Sequence, residues 1–407
     1  MIGPNVTNSK AVEESRLPRR DWFLLPLLSL LTICCLIAGS ELTARGLFEW
    51  RPGVQNCVVL NDPLGQHGIP NSVCREKEPE TSTVEYRFNS CGHRTGMECG
   101  PKPDGSYRIV LTGSSLAMGL RVTREETIAA LLPTELSLRT GRKIELYNTA
   151  VAVMEGGTPR SVALRFDDVL AAKPDMVLWI LGPWDIEHVS TLYVEQKRSS
   201  AARPVSLVQK VMQYRDQVVS LSPHAINEAI IDVFHRSRTA LLLQHYMYEN
   251  QSLYVKHFLI GSDESQGFLK AEPSAALKSK MQQFDRYTAE IAGRTKAAGV
   301  PLVAVFLPNR AQAAMISRGE WPDDYDPFEL DLALRDIVTR HGGVYVDILP
   351  DFRNVPNPEV HYFPVDGHPN ASGHAVISEM LARALTNGAI PELRAASAPP
   401  AESEKGN

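Results

Sequence analysis

From Arg108 onward the chain carries short, continuous apolar runs at Arg108–Thr112, Lys143–Tyr147, Met176–Leu181, Pro301–Leu307 and Gly343–Ile348. Each is rich in Val, Ile or Leu and lacks polar alternation, which is the pattern of strands buried on both faces of a parallel sheet. Longer stretches with helical spacing fall between and after them: Arg124–Leu138, Pro159–Ala172, Ala275–Ala298, Pro327–His341 and Ala371–Thr386. Strands that alternate with helices need crossover connections. The pattern therefore predicts an α/β fold, a doubly wound parallel sheet of five strands in flavodoxin-like order.

A different pattern precedes this region. Residues 22–39 read WFLLPLLSLLTICCLIAG, without a charge and about long enough to cross a bilayer. Arg16, Arg19 and Arg20 lie just before the run, and positive charge on that flank favours a cytoplasmic N-terminus. The run reads as a signal anchor; the small residues around Ala38, Gly39 and Ser40 make a cleaved signal peptide the second reading. Residues 1–20 then form a cytoplasmic tail and 21–40 a transmembrane helix. The single-pass chain has its main domain extracytoplasmic, in the periplasm or at the cell surface.

The cysteines fit export. Cys34 and Cys35 lie in the apolar run, Cys57, Cys74, Cys91 and Cys99 follow it, and the rest of the chain has none. An even set in a loop-rich exported segment predicts two disulfides of open connectivity. No pair has the C-x-x-C spacing of a zinc ribbon. Residues 41–107, with many prolines and glycines and no clear helix, read as a cysteine-containing collar before a main domain at 108–390. Residues 186–274 exceed an ordinary crossover and form a helical insert. Its stretch Leu241–Leu259 reads as a helical cap on the sheet, with a lid over the site as the functional alternative. The Ala-, Pro-, Ser- and Glu-rich end, 391–407, reads as disordered.

Hydrophobic content of 43% and charged content of 22% mark a globular protein. The net charge of -5, without a basic block, gives no sign of nucleic-acid binding.

Chemistry-bearing residues fall at the predicted strand ends. Ser114 and Ser115 follow the first strand, Gly156 and Gly157 the second, Gly182-Pro183-Trp184-Asp185 the third, and Asp366 and His368 the fifth. These are the carboxyl ends, where open α/β sheets bind ligands. A serine on a strand-to-helix turn with a distant Asp and His is what nucleophilic acyl chemistry requires, because serine needs a base to take its proton and the base needs an orienting acid. His361, Asp366, His368 and His374 lack H-E-x-x-H spacing, so no metal or organic cofactor is implied. Asp167 and Asp168 read as a solvated helix face, and Asp323, Asp324 and Asp326 as a surface loop.

Gly113-Ser114-Ser115-Leu116 resembles the Gly-Asp-Ser-Leu block of the SGNH (GDSL) hydrolase superfamily, in the form carried by exported bacterial members. The resemblance spans about residues 108–390. It implies the SGNH hydrolase fold, with Ser115 as nucleophile and Ser114 where an Asp usually stands. The second block resembles Asn148 through Gly156-Gly157-Thr158 and implies a glycine N–H as oxyanion donor, alongside that of Ser115. In the third block, Gly-x-Asn-Asp in the family, Trp184 stands where the oxyanion asparagine is expected. Its indole N–H is a donor of different reach. In the last block, Asp-x-x-His, Val365 fills the Asp position, so Asp366 becomes the orienting acid and His368 the general base. Asn148 and Asp185 are implied as substrate-binding residues.

The resemblance implies an extracytoplasmic serine esterase acting on acyl esters, acetyl groups of a cell-surface polysaccharide being the first candidate. An O-acetyltransferase would use the same residues, with a membrane acyltransferase partner handing over the acyl group. A non-catalytic carbohydrate-binding or assembly protein is the third reading, motivated by Trp184 and Val365.

Overall fold

The computed structural model describes residues 18, 20–60, 62, 65–152, 158–189, 237–260 and 267–395. The apolar run forms helix α1 (Asp21–Leu47). Among the described residues it is the one helix long and apolar enough to cross a membrane, with a mean hydropathy of 2.3 and none of its apolar window buried. Leucines 24, 27, 28 and 31 stand exposed around it. The helix outruns the expected boundary at residue 40. Glu41 and Arg45 pair at 2.9 Å one turn apart, and Phe48 N–H closes the end on Ala44. The first residues assigned to the collar are therefore helical.

The collar proper holds two hairpins. Strands β1 (Val58–Val59) and β2 (His67–Gly68) pair antiparallel, as do β3 (Val73–Lys77) and β4 (Thr83–Arg87). Two disulfides staple it, Cys57–Cys74 and Cys91–Cys99, which resolves the open connectivity.

The main domain then alternates as expected. Strand β5 (Ser106–Gly113) leads through a short helix α2 (Ser115–Met118) and α3 (Ile128–Thr140) to β6 (Lys143–Asn148). Helices α4 (Thr158–Leu164) and α5 (Phe166–Ala171) precede β7 (Met176–Leu181), and α6 (Pro183–Glu187) follows it. After the insert helices α7 (Arg238–Tyr248) and α8 (Gln251–Ile260) come α9 (Ala275–Ala297), β8 (Leu302–Phe306), α10 (Arg310–Arg318), α11 (Glu329–Arg340), β9 (Val344–Val346) and α12 (Ala371–Thr386). Two expected helices differ in detail. Arg124–Glu126 is a separate 3₁₀ turn before α3, and Pro159–Ala172 breaks into α4 and α5 at Arg165.

The five strands β5 to β9 are parallel, in the order β6-β5-β7-β8-β9, which is flavodoxin-like. Strands β5, β7 and β8 are buried at every position, which explains their unbroken apolar sequence. The charge within β5 is accounted for: Arg108 lies opposite Glu145 of β6 and bonds it at 3.0 and 3.1 Å. Helices α3 and α12 pack together, α3 against β6 and α12 reaching β9, while α9 packs with α4 and α11.

The insert helices do not cap the sheet as expected. Helix α7 packs along the end of α1, and α8 packs on α10. Tyr248 and Tyr254 cluster there with Ala311, against Val365 and Phe258. The reason is electrostatic as well as apolar. Glu41 of α1 accepts from Ser237 Oγ and from the N–H groups of Arg238 and Thr239, which satisfies the open N-terminus of α7.

Candidate active site

The sheet order reverses between β5 and β7, and this is where a doubly wound sheet opens a crevice at its carboxyl edge. Gly113 ends β5 with φ +148°, and a Cβ there would stand 2.4 Å from the carbonyl oxygen of Ile180 in β7. Only glycine allows so close an approach. Ser114 is extended, and the chain then turns at once into α2, which begins with Ser115 and closes on left-handed Gly119. Ser115 thus sits on the first residue of the turn at the crevice.

His368 reaches the same point from the other end of the domain. After β9 the chain makes two 3₁₀ turns, Leu349–Asn354 and Pro358–His361, and then the loop that precedes α12. Left-handed Gly367, φ +78°, lets the loop fold back on itself. Asp366 Oδ1 accepts from both the backbone N–H and the ring Nδ1 of His368, at 3.2 and 2.8 Å. His368 Nε2 lies 2.8 Å from Ser115 Oγ. With Nδ1 donating to the carboxylate, Nε2 is the free acceptor facing the serine hydroxyl. Burial, and then the charge of Arg121, push the imidazole down to about 3, so the ring is neutral across the ordinary pH range.

The other expected residues are placed differently. Asn148 is buried at 1% exposure; its Nδ2 donates to Ala117 O at 2.9 Å and its Oδ1 accepts from Ala150 N–H at 3.0 Å. Asp185 is equally buried, and its Oδ2 accepts from Gly182 N–H at 2.7 Å and from Ser114 Oγ at 3.2 Å. Burial pushes its carboxyl up to about 6 against these hydrogen bonds. Both side chains tie the serine turn to its neighbours and face inward. Neither, at 1% exposure, turns a polar atom to solvent. Trp184 stands exposed with its ring stacked on His188 at 5.7 Å. Gly156 and Gly157 lie outside the described residues. His374, drawn into the metal question by the sequence, is buried, and its Nδ1 accepts from Ile128 N–H at 3.3 Å.

The surrounding supports carry no sequence signal. Buried Arg94, between the cysteines of the Cys91–Cys99 disulfide, donates to Met118 O at 2.7 Å, Gly119 O at 2.6 Å and Val122 O at 2.7 Å. It fixes the segment just after Ser115 from the collar side. Glu80, in the β3–β4 turn, accepts from the N–H groups of Val365 and Asp366 and from His245 Nδ1. Buried Arg310 donates to Pro364 O and Tyr248 O and lies 4.0 Å over the Tyr254 ring. Arg121 forms an ion pair with Asp366 Oδ2. The Ser-His-Asp arrangement is therefore held by three separate parts of the chain: collar, insert and domain.

No protein-family model matches the chain, and no curated protein sequence does. Among solved structures the chain is similar to Axe2, an acetylxylan esterase from Geobacillus stearothermophilus, at 12% identity and a TM-score of 0.36, over 71% of this chain and 96% of that one. It is also similar to TesA, at 12% identity and a TM-score of 0.35, over 68% of this chain and 97% of that one. A likeness of that depth assigns no activity, and the chemistry has to come from Ser115, His368 and Asp366 themselves.

Proposed function

We propose that the chain is a serine esterase in which Ser115 attacks an acyl ester. The observation that carries this reading is the unbroken series Ser115 Oγ to His368 Nε2 to Asp366 Oδ1, each link 2.8 Å. Ser115 Oγ bonds to the ester carbonyl carbon as its proton passes to His368 Nε2. The tetrahedral intermediate collapses, and the departing alcohol takes that proton. Water then repeats the sequence on the acyl-enzyme and frees the acid. Asp366 holds the ring in the correct tautomer and stabilises the imidazolium.

For the oxyanion we assign the Ser115 N–H and a glycine N–H of the Gly156-Gly157 pair. The Gly182 N–H and the Asn148 amide are engaged elsewhere, which supports that assignment. The substrate we propose is an acylated carbohydrate, an acetyl ester first of all. Exposed Trp184, stacked on His188 beyond the carboxyl end of β7, offers the apolar ring face that a sugar packs against. We place the reaction outside the cytoplasm, with α1 as anchor; the two disulfides of the collar support that compartment.

The test is labelling of the full chain in detergent with a fluorophosphonate, with the modified peptide located by mass. The expected result is label on Ser115, lost in Ser115→Ala and strongly reduced in His368→Ala, together with release of acetate from acetylated oligosaccharides. Ester hydrolysis that survives Ser115→Ala would overturn the reading.

A further inference from the structure

The loop that carries Asp366 has a partner outside the Ser-His-Asp series. Arg121 lies just past the serine turn, two residues after Gly119. Its backbone is left-handed, with φ +67°. That conformation is strained for a long side chain and is the usual place for glycine. It is held here because Arg121 N–H donates to the hydroxyl of buried Tyr86 in β4, at 2.8 Å. The conformation turns the guanidinium toward the acid loop. There it pairs with Asp366 Oδ2, and Glu78 Oε1 stands on its other side at 3.8 Å. The two oxygens of Asp366 thus divide their work: Oδ1 serves His368 and Oδ2 serves Arg121.

We propose that Arg121 is a positioning residue for this site: it fixes the outer oxygen of Asp366 so that the inner one meets His368. The proposal rests on the Ser-His-Asp reading above and adds a control to it. An Asp-Gly-His turn leaves the outer carboxylate oxygen unheld by His368, and its pairing with Arg121 Nη1 limits rotation of the acid. The same charge opposes protonation of the neighbouring ring, so the base persists into acid at the expense of some basicity.

Other charged groups surround the loop, and the test has to separate them. Glu78 and Glu80 approach from the β3–β4 turn, His245 from α7, and Arg310 from α10. Arg238, at the start of α7, lines the same small cavity of about 200 Å³ as Arg121 and Asp366. Tyr254 of α8 lies beside Gly367, and His374 of α12 interacts electrostatically with His368. Of these, Arg121 alone pairs directly with the orienting acid among the described residues.

The experiment uses the full chain in detergent as wild type, Arg121→Gln and Arg121→Lys, with Arg121→Met as a second uncharged variant should the glutamine form not fold. Two quantities are followed from pH 3 to 8: the rate of fluorophosphonate labelling at Ser115 and the titration of His368 by NMR. Loss of the charge is expected to raise both midpoints by about one pH unit or more and to lower the plateau rate. The lysine variant is expected to return the midpoints toward wild type with a reduced plateau, because it restores the charge without the planar guanidinium that reaches both Asp366 and Glu78. Unmoved midpoints in the uncharged variants, whatever their plateau or melting temperature, would overturn the proposal. If wild-type Ser115 takes no label, the esterase reading fails on its own. The His368 titration then decides for Arg121, a raised midpoint supporting it and an unmoved one overturning it.

Discussion

Glu80 accepts the backbone N–H of Asp366 at 2.9 Å, so the β3–β4 turn of the collar grips the loop that carries the proposed orienting acid. The same carboxylate takes the Val365 N–H and His245 Nδ1, and it is almost fully buried. Glu80→Ala leaves these donors unpartnered. The expected loss is about 1–3 kcal/mol of stability, with labelling of Ser115 slowed about tenfold. Glu80→Gln, which keeps an acceptor, should fall between. Urea denaturation and labelling time courses measure both; an alanine variant labelled at the parental rate would detach Glu80 from the site.

Arg94 makes a comparable demand on the serine turn. Its guanidinium donates to three carbonyls around Gly119, and Arg94→Met removes those donors in a buried place, leaving Gly119 O only the Val122 N–H at 3.3 Å. The variant should lose about 3 kcal/mol or more, by the cost of breaking a buried charged network. Reduction of Cys91–Cys99, which closes the loop bearing Arg94, should destabilise the fold in the same direction, by about 3 kcal/mol from loop entropy. Melting with and without reductant checks both, and a melting temperature that reductant leaves unchanged would refute the second claim.

Asp366→Asn keeps the shape of the acid while changing what it offers the ring. An amide can donate to Nδ1, which would leave Nε2 carrying the proton and unable to accept from Ser115. The proposed esterase should then slow by roughly 10²–10⁴ with little loss of stability. Steady-state rates on an acetyl ester, beside a melting curve, make the comparison.

His374 links pH to stability. Burial, and then the charge of Arg94, pushes it down to about 3. The unfolded chain protonates this histidine below about pH 6.5 and the folded one does not, so stability is lost as pH falls through that value. His374→Asn can still accept the Ile128 N–H but has no proton to take up. Between pH 7 and pH 5 the variant should lose about 2 kcal/mol less than the parent. Chemical denaturation at the two pH values reads the difference, and equal losses would show that His374 is already charged in the fold.

The parts legible in sequence are those that a local pattern specifies. Strands such as Met176–Leu181 are buried on both faces and so read as unbroken apolar runs. Ser115 just past β5, and Asp366 and His368 in the loop before the last helix, were legible from their residue types and spacing, and the structure places them in hydrogen-bond reach. The β3–β4 hairpin was not legible, because its alternation (Val73-Cys74-Arg75-Glu76-Lys77) carries charged residues on both faces, with Glu76 itself buried to bond Val54 N–H. Nor were the roles of Arg94, Glu80 and Arg121. Each depends on a contact between segments far apart in the chain, and nothing in the spacing of an isolated Arg or Glu tells a surface charge from one turned inward. Asn148 and Asp185 show the converse. Their residue types suggested a ligand, yet both side chains are buried, Asn148 bonded to Ala117 and Ala150 and Asp185 to Gly182 and Ser114.

Helix α1 passes from its apolar part into its docked end without a break. Its 27 residues span about 40 Å, against a hydrocarbon layer of about 30 Å. The remaining turns carry Glu41, which caps α7, and lead into Phe48, whose ring meets His245 at 5.7 Å. With a bilayer around the apolar part, this mounting would behave as a mast rather than a tether. Ser115 would travel at one altitude, sweeping a ring about the anchor as the helix spins and drifts, and would search a plane instead of a volume. Esters fixed at that altitude would be met by this sweep, whereas those free in the surrounding fluid would arrive by their own diffusion.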